Sequence, residues 1–389
     1  MRILMLNHNV IWRSTFHRCF QFARQLVLLG HRVTLVTNSP DERVRFRERI
    51  LEGVRVLESP DLFWGRLRTG WDPLNAFRRT LRLFHEPFDV IHEFDSRPTV
   101  ILPSLWKRSH RGITISDWGD WWGRGGAISD RPDRLLNRLF EPIETFFEER
   151  FRPRCTAMIT VSSALRERAL SLGIPPDRID VIPNGAAVDE ILDLPRDEGR
   201  RLLGLPSGAP IVTFSGFVLY DLELAVRSFL RLRERLPGAL MVVTGAKSDL
   251  TALAPPPGSV IQTGQLSRAD LNRALCASDL HILPLMDTLA NRARFPGKLG
   301  DYLSSGRPVL TNPVGDAAEI VSRHRLGVVV PPDPDDMGRA MADLLLDPAR
   351  AVELGRNARR YAVEEFSWKL LTLRLLERYS RHLVQRRAV

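Results

Sequence analysis

The sequence predicts an α/β protein built from two successive doubly wound units, each a parallel sheet covered by helices on both faces. Three observations carry this reading. Short, continuous apolar runs alternate with stretches whose apolar residues recur at helical spacing, which is the pattern of strands buried on both sides. The alternation runs once through Ile3–Pro183 and begins afresh at Ile211. Finally, 389 residues at 44% hydrophobic and 26% charged supply more than one core and exclude wholesale disorder.

In chain order, Ile3–Leu6 reads as the first strand. Phe16, Cys19, Phe20, Ala23 and Val27 mark the first helix, Gly30 caps it, and Val33–Val36 is the next strand. Further strands are expected at Val54–Leu57, Val90–His92, Ile113–Ile115, Met158–Val161 and Val181–Pro183. The second series is Ile211–Phe214, Met241–Thr244, Val260–Gln262, Leu280–Leu283, Val309–Thr311 and Val328–Val330. Between them lie Pro183-Asn184-Gly185 and a polar run to Gly208. A long last helix carries one apolar stripe, Trp368, Leu371, Leu375, Tyr379 and Leu383. The expected organisation is therefore a first domain over 1–187, a second over 188–365, and a helix over 366–389 packing back on the first.

Charge and cysteine usage exclude several classes. The net charge is +10, spread over both halves and interleaved with acids, and only Lys107, Lys247, Lys298 and Lys369 are lysines. This is either arginine bias or attraction for an anionic ligand or membrane surface. No nucleic-acid-binding motif accompanies it, so nucleic acid is not expected as a partner. Cys19, Cys155 and Cys276 are too few and too scattered for a disulfide framework or a zinc site, and a reducing compartment follows. No carboxylate or histidine cluster calls for a metal. The opening apolar run is too short for a signal-peptide core and no stretch is long enough to span a membrane, so the expected location is the cytoplasm or the cytoplasmic face of a membrane.

The most informative stretch is residues 291–309. Pro296 suits a first helical turn, where unpaired N–H groups and the helix dipole favour an anion. Arg292, Arg294 and Lys298 add charge beside it. Asp301 falls on the same helical face as Gly297 and Lys298, where a carboxylate could hold a ribose diol while the helix start holds a diphosphate. Gly306 then ends the helix. An ordinary helix–strand unit with solvated arginines is the alternative.

Earlier in the chain, Asp117-Trp-Gly-Asp-Trp-Trp-Gly-Arg-Gly-Gly126 follows a strand directly, and loops at strand carboxyl ends line the crevice of open α/β sheets. Trp118, Trp121 and Trp122 offer flat faces for a sugar ring, and Asp117 and Asp120 could accept its hydroxyls; core packing is the rival. In the loop after the first strand, Ser14, His17 and Arg18 are candidates to meet phosphate or acceptor. His92 reads as a structural histidine, with Glu93 and Asp95 as acceptor contacts at the strand end.

These pieces, in this order, resemble family 4 retaining glycosyltransferases of the two-domain GT-B fold. The 291–309 segment looks like that family's donor-binding helix, with Asp301 at its carboxylate position five residues before the glycine of a G-x-P-V turn. Gly30-His-Arg-Val-Thr-Leu-Val36 looks like its second strand. Val161-Ser-Ser163 with Val181-Ile-Pro-Asn-Gly185 looks like the end of its first domain. Ala277–Pro284 and Glu365-Phe-Ser-Trp368 complete the series.

The resemblance implies two Rossmann-like domains facing each other across a cleft, the second binding a nucleotide-sugar and the first a glycan, lipid-linked or small-molecule acceptor. It implies transfer with retention, no metal, and no cofactor beyond the donor. The donor contacts expected, from the residues and the resemblance together, are Gly216, Gln265, Arg292, Arg294, Phe295, Pro296, Gly297, Lys298 and Asp301. Acceptor contacts are Ser14, His17, Arg18, Asp95, Trp118 and Trp121, and Asp117, Asp120 and Lys298 are the catalytic candidates.

Two departures stand out. Ala293 occupies the place of a usual glutamate, and Ser215-Gly216-Phe-Val-Leu-Tyr-Asp221 lacks a usual Arg and Lys after its glycine. Lys298, Arg292 and Arg294 are expected to take over the missing positive charge. The rival readings are an inverting transferase using Asp117 or Asp120 as base and a non-catalytic sugar-nucleotide-binding protein. A nicotinamide dehydrogenase is disfavoured by the lack of any glycine between Asn7 and Arg18.

One basic segment remains. Residues 62–84 hold five arginines against the single acid Asp72, with Phe63, Trp64 and Trp71 preceding a helix on which Leu74, Phe77, Leu81 and Phe84 share one face and Arg78, Arg79 and Arg82 lie off it. It reads either as a helix covering the sheet or as an interfacial segment resting on anionic membrane.

Overall fold

A computed structural model of the chain describes residues 1–63, 69–107, 112–128, 134–216, 219–245 and 247–387. The chain forms two compact units. One comprises Met1–Pro183 with Leu371–Val389, the other Asn184–Leu370. Trp64 lies outside the described residues.

The first unit carries strands β1 (Arg2–Val10), β2 (Arg32–Asn38), β3 (Arg47–Leu51), β4 (Val54–Ser59), β5 (Val90–Phe94), β6 (Ile113–Trp118), β7 (Ala157–Thr160) and β8 (Ile179–Val181). They form one sheet in the order β3-β4-β2-β1-β5-β6-β7-β8. All pairs are parallel except β3 with β4. The strands with apolar runs are the expected ones, since residues buried on both faces must be apolar. Strand β3 was not expected. Its sequence, Arg-Glu-Arg-Ile-Leu, is mostly polar because it is an edge strand, and it is joined to β4 by Glu52 and Gly53, both in left-handed backbone (φ 46° and 79°) as a tight hairpin turn requires. Strand β8 starts two residues before the expected Val181.

The second unit carries β9 (Ile211–Gly216), β10 (Leu240–Gly245), β11 (Val260–Gly264), β12 (Leu280–Leu283), β13 (Val309–Thr311) and β14 (Gly327–Val329), an all-parallel sheet in the order β11-β10-β9-β12-β13-β14. Its core joins Val212 and Phe214 on β9 to Val226, Phe229 and Leu232 of the helix Leu219–Arg235 and to Met337 and Met341 of the helix Pro334–Leu345. Both units are thus Rossmann-like.

Both sheets reverse strand order at one point, between β1 and β5 in the first and between β9 and β12 in the second. Such switch points open a crevice at the carboxyl ends of the strands. In this chain those ends are Val10 and Phe94, and Gly216 and Leu283.

The last helix, Trp368–Arg387, buries Leu371, Leu375 and Tyr379 completely, as its stripe anticipates, and from Leu371 it counts with the first unit. The units divide at Pro183/Asn184 rather than 187/188. Where the chain leaves and re-enters, it is sewn together within the second unit. Ala186 N–H donates to the Phe366 carbonyl at 2.8 Å, and Trp368 N–H donates to the Ala186 carbonyl at 3.1 Å.

Candidate functional site

At the switch point of the second unit, β9 ends in Ser215-Gly216 and β10 in Thr244-Gly245. Gly245 holds φ 114°, and a Cβ there would lie 2.3 Å from the Gly216 carbonyl oxygen, so only glycine lets these two strand ends approach. Thr244 donates its hydroxyl to Ser215 Oγ (2.7 Å), and the buried Tyr302 hydroxyl accepts the Ser215 N–H (2.7 Å). Tyr302 also stacks on His281 (centroids 4.5 Å apart), whose Nε2 meets Ser305 Oγ at 2.8 Å. Burial, with Arg307 adding like charge, pushes His281 down to about 3, so it is neutral and structural.

On this platform sits Lys298. Its Nζ lies 4.5 Å above the Phe214 ring and 3.3 Å from where a Gly216 Cβ would stand, so any side chain at Gly216 would crowd the ammonium. Desolvation is the largest influence and lowers Lys298 to about 8; Asp221 opposes the shift and Arg294 adds to it. Arg294 Nη2 donates to the buried Asp221 at 3.2 Å, while its Nε is buried with no hydrogen-bond partner among the described residues. Gly216, Lys298 and Arg294, expected together, are therefore brought together. Asp221, five residues beyond Gly216, is what draws Arg294 to the region where the sequence supplies no basic residue.

Other members of the expected donor set differ. Arg292 is exposed and its guanidinium fork pairs with Asp287 of its own loop (2.5 and 2.6 Å). The helix begins at Lys298, not Pro296, and runs only seven residues to Ser304. Leu299 N–H bonds the Pro296 carbonyl and Gly300 N–H that of Gly297, so two of its first donors are already used. Phe295 and Pro296 are buried and Gly297 is exposed; the Phe295 carbonyl accepts from Asn184 Nδ2 at 2.7 Å.

Asp301 is partly exposed and holds the Arg268 guanidinium through both oxygens (3.0 and 3.1 Å), and Arg268 Nε donates to Glu190 at 2.7 Å. Nothing near Asp301 in sequence signals Arg268, 33 residues away. Gln265 is exposed just beyond β11, three residues before Arg268. Ala293 is fully buried.

In the first unit, the loop after β1 departs from ordinary backbone. Trp12 (φ 66°) and Ser14 (φ 47°, ψ −118°) both lie in left-handed territory that favours glycine. Edge-on contacts of the Trp12 ring with Phe16 (5.1 Å) and Phe20 (5.7 Å) hold it there, and the exposed His17 contacts the Trp12 carbonyl at 3.0 Å. Ser14 is exposed.

Four expected site residues of this unit, Arg18, Asp95, Asp117 and Trp118, are buried and held by partners within it. Arg18 and Asp117 are a buried bidentate pair (2.9 Å through Arg18 Nε and through Nη2), and Arg18 also donates to the carbonyls of Ile182 (2.8 Å) and Pro183 (2.9 Å). Asp117 further lies 3.4 Å from His92 Nε2, and although burial opposes it, Arg18 and His92 hold the carboxyl below its usual range. His92 in turn meets the Tyr379 hydroxyl of the last helix at 2.5 Å. A fully buried, fully paired carboxylate is not a base for an incoming hydroxyl. Trp118 is fully buried under the Arg152 guanidinium (4.5 Å), because β6 runs on through it and its side chain alternates inward. Asp95 is buried and accepts from Arg152 Nη2 and from Ser96 N–H, each at 2.8 Å.

Asp120, Trp121 and Trp122 stay at the partly exposed surface. The two adjacent tryptophans are each faced by a guanidinium: Arg168 lies 5.2 Å from Trp121 and Arg97 4.7 Å from Trp122. Their loop hangs from the helix Arg134–Phe151. Glu148 accepts Trp122 N–H and Gly123 N–H (both 2.9 Å), and Thr145 accepts Arg124 N–H (2.9 Å). Burial raises Glu148 to about 7. Sequence reasoning passed over Glu144, Thr145 and Glu148; polar residues at i, i+1 and i+4 in an apolar helix were the available signal.

Residues 17–190 match the profile described as Glycosyltransferase Family 4, and residues 209–347 that described as Glycosyl transferases group 1. A D-inositol 3-phosphate glycosyltransferase of Gordonia bronchialis is 30% identical over 54% of this chain and 48% of that protein, so the match spans about half of its length. An MMP alpha-(1->4)-mannosyltransferase of Mycolicibacterium hassiacum is 25% identical over 99% of both chains. Among solved structures, the Anabaena protein HepE in complex with UDP and glucose superposes with a TM-score of 0.73 at 15% identity, covering 98% of this chain and 100% of that one. The fold is therefore GT-B.

Proposed function

The chain belongs to the glycosyltransferases, a family 4 region followed by a group 1 region, and from that premise we propose that it moves a sugar from a nucleotide-sugar to a hydroxyl acceptor with retention of configuration. The observation that carries the reading is the group at the carboxyl ends of β9 and β10. Lys298 and Arg294 converge beside Gly216, on strand ends that only glycine permits, where the diphosphate of a donor would be neutralised as it departs. That HepE has been captured with UDP and glucose favours a nucleoside diphosphate there. The first unit would take the acceptor along Ser14, His17, Asp120 and Trp121.

In the proposed step, the bond from the anomeric carbon to the β-phosphate oxygen breaks and the acceptor oxygen bonds the same face of that carbon. The acceptor proton passes to the departing phosphate, so no side-chain base is needed and no cofactor beyond the donor enters. The acceptor is a glycan, lipid-linked or small hydroxyl compound. The setting would be the cytoplasm, with peripheral contact to anionic membrane.

Thermal-shift screening against UDP-, GDP- and ADP-sugars identifies the donor, since a ligand at 100 times its dissociation constant stabilises by about 2.7 kcal/mol. Turnover of that donor in Lys298→Ala should fall steeply, and unchanged turnover would sink the reading. A second reading, sugar-nucleotide binding without transfer, draws on the buried Ala293 and the pairing of Asp301 with Arg268. It predicts a thermal shift with no product.

A further inference from the structure

At the amino ends of the first unit's central strands lies a groove that the transferase reading does not use. Arg2 begins β1 and Arg32 begins β2, and the two are direct partners in the parallel register. Thr34 pairs with Leu4 on one side and with Arg55 of β4 on the other, so Arg2, Arg32, Thr34 and Arg55 share one face of the sheet. Farther along, the same face carries Leu4, Leu6, Val36 and Leu57 into a core closed by Leu83 and Val100, against which Phe88 packs. Where that core ends, a cavity of about 430 Å³ opens between the strand starts and the connection Glu86-Pro87-Phe88. Its size falls within the roughly 300–1,000 Å³ of small-molecule sites.

The charge lining this groove is unbalanced. Arg55 is matched by Glu48 and Glu86 at 2.7 Å each, and Glu86 also holds Arg82 at 2.9 Å. Arg2 and Arg32 are not matched. Among the described residues neither guanidinium has a hydrogen bond or ion pair, and Asp89 is turned instead to the Arg2 N–H at 2.7 Å. Neighbouring strands run about 4.8 Å apart, so two like charges stand side by side, which costs stability unless an opposite charge lies between them. His31 lines the same groove. Burial, with the Met1 ammonium adding like charge, lowers its pKa, so at neutral pH the ring is uncharged. Its Nδ1 faces the Met1 nitrogen, a donor, at 3.2 Å; Nδ1 therefore accepts, and Nε2 carries the ring proton. That Nε2 is buried with no partner among the described residues, a donor without an acceptor.

We propose that this groove binds a phosphate group, its oxygens held by the Arg2 and Arg32 guanidiniums with His31 Nε2–H as a third donor. The guanidinium fork matches phosphate oxygens, and a tetrahedral ion has enough of them to meet two guanidiniums and an imidazole at once. A bare phosphate leaves most of the cavity unfilled, so the better fit is a phosphomonoester whose organic part lies against Pro87 and Phe88. The site is separate from the crevice of this unit. That crevice is at the Val10 end of β1, and Arg2 is at the other, roughly 25 Å away at about 3.3 Å per residue. The proposal does not rest on the transferase reading.

Imidazole NMR of the full chain, with histidine labelled at Cε1, tests this without turnover. The His31 signal, identified by its loss in His31→Gln, should shift saturably with inorganic phosphate and not with sodium chloride at equal ionic strength. Arg2→Gln/Arg32→Gln, at exposed positions, should weaken phosphate binding by about tenfold or more, the loss of two charge-assisted hydrogen bonds. In phosphate-free buffer the same variant should melt at or above the wild-type temperature, since the repulsion is gone. Phenyl phosphate binding more tightly than inorganic phosphate assigns the ester, and equal affinity assigns the free ion. An unmoved His31 signal, a shift that sodium chloride reproduces (an adventitious ion only), or unchanged affinity in the double variant overturns the proposal. So does a double variant that melts below wild type, which would make the arginines supports of the fold. Lys298→Ala should leave the His31 titration as in wild type, so this site and the donor site stand or fail separately.

Discussion

At the scale of single residues, Lys298 carries the sharpest expectation. Burial is the main influence that lowers its ammonium to about 8 in the free protein, with the nearby Arg294 adding to it. A bound diphosphate favours the charged form, so below pH 8 the site is ready, and above it binding must recruit a proton. Nucleoside diphosphate affinity should then fall above pH 8 by up to about tenfold per pH unit, with proton uptake visible as buffer-dependent calorimetric heats. Lys298→Arg stays charged and should flatten the dependence; a profile identical to wild type would take Lys298 out of the phosphate site.

Asp301 and Arg268 pose a paired test. A charged hydrogen bond to a ribose is worth roughly 1.5–3 kcal/mol, so Asp301→Ala should weaken donor binding by about one to two orders of magnitude. Arg268→Ala uncovers Asp301 and should bind donor at least as tightly as wild type by calorimetry. An equal loss in both variants would mean that the ion pair, not the carboxylate, is what the donor requires. Residues whose partners are near in sequence, such as Gly216 with its strand, were legible from the sequence. Arg18 and Asp117, 99 residues apart, were not: a carboxylate at a strand's carboxyl end looks the same in sequence whether it faces a crevice or a buried guanidinium.

At the scale of elements, the strands were readable because both faces of each sheet are covered, so that burial alone writes an apolar run. The helices were less so. A helical wheel puts Leu74, Phe77, Leu81 and Phe84 on one face but does not say which way that face points, and Arg79, buried to satisfy Asn38, Ser59 and Asn75, turns it outward. The loop after β1 is a third case. Its backbone takes a shape natural to glycine while Ser14 occupies it at φ 47°, ψ −118°, a strain of order 1–3 kcal/mol that exceeds the roughly 0.5–1 kcal/mol by which glycine's freedom favours the unfolded chain. Ser14→Gly should therefore raise the melting temperature of the first unit by a few degrees, at about 2–4 °C per kcal/mol for domains of this size. An unchanged or lower melting temperature would mean the turn is not strained.

At the scale of the whole molecule, chain order and spatial grouping part company, because the last helix leaves the second unit at Leu370 and counts with the first, where Tyr379 closes on His92. Each unit keeps its own sheet, core and switch point, so a ligand's stabilisation should stay where its contacts are. If the donor belongs to the second unit, a saturating nucleoside diphosphate should slow hydrogen exchange within Asn184–Leu370, most at Ser215-Gly216, Thr244-Gly245 and Gly297–Asp301, and leave Met1–Pro183 and the last helix from Leu371 onward unchanged. At 100 times the dissociation constant the added protection is bounded at about 2.7 kcal/mol for amides that exchange by unfolding of that unit. The prediction separates two kinds of failure. Protection centred on the tryptophan loop and the β1 loop would move the nucleotide to the first unit and overturn the assignment of Lys298, Arg294 and Asp301 together. Protection spread evenly over both units would mean that they unfold as one, and a Lys298→Ala chain, which should lose the protection entirely, would then decide whether the second unit still holds the donor.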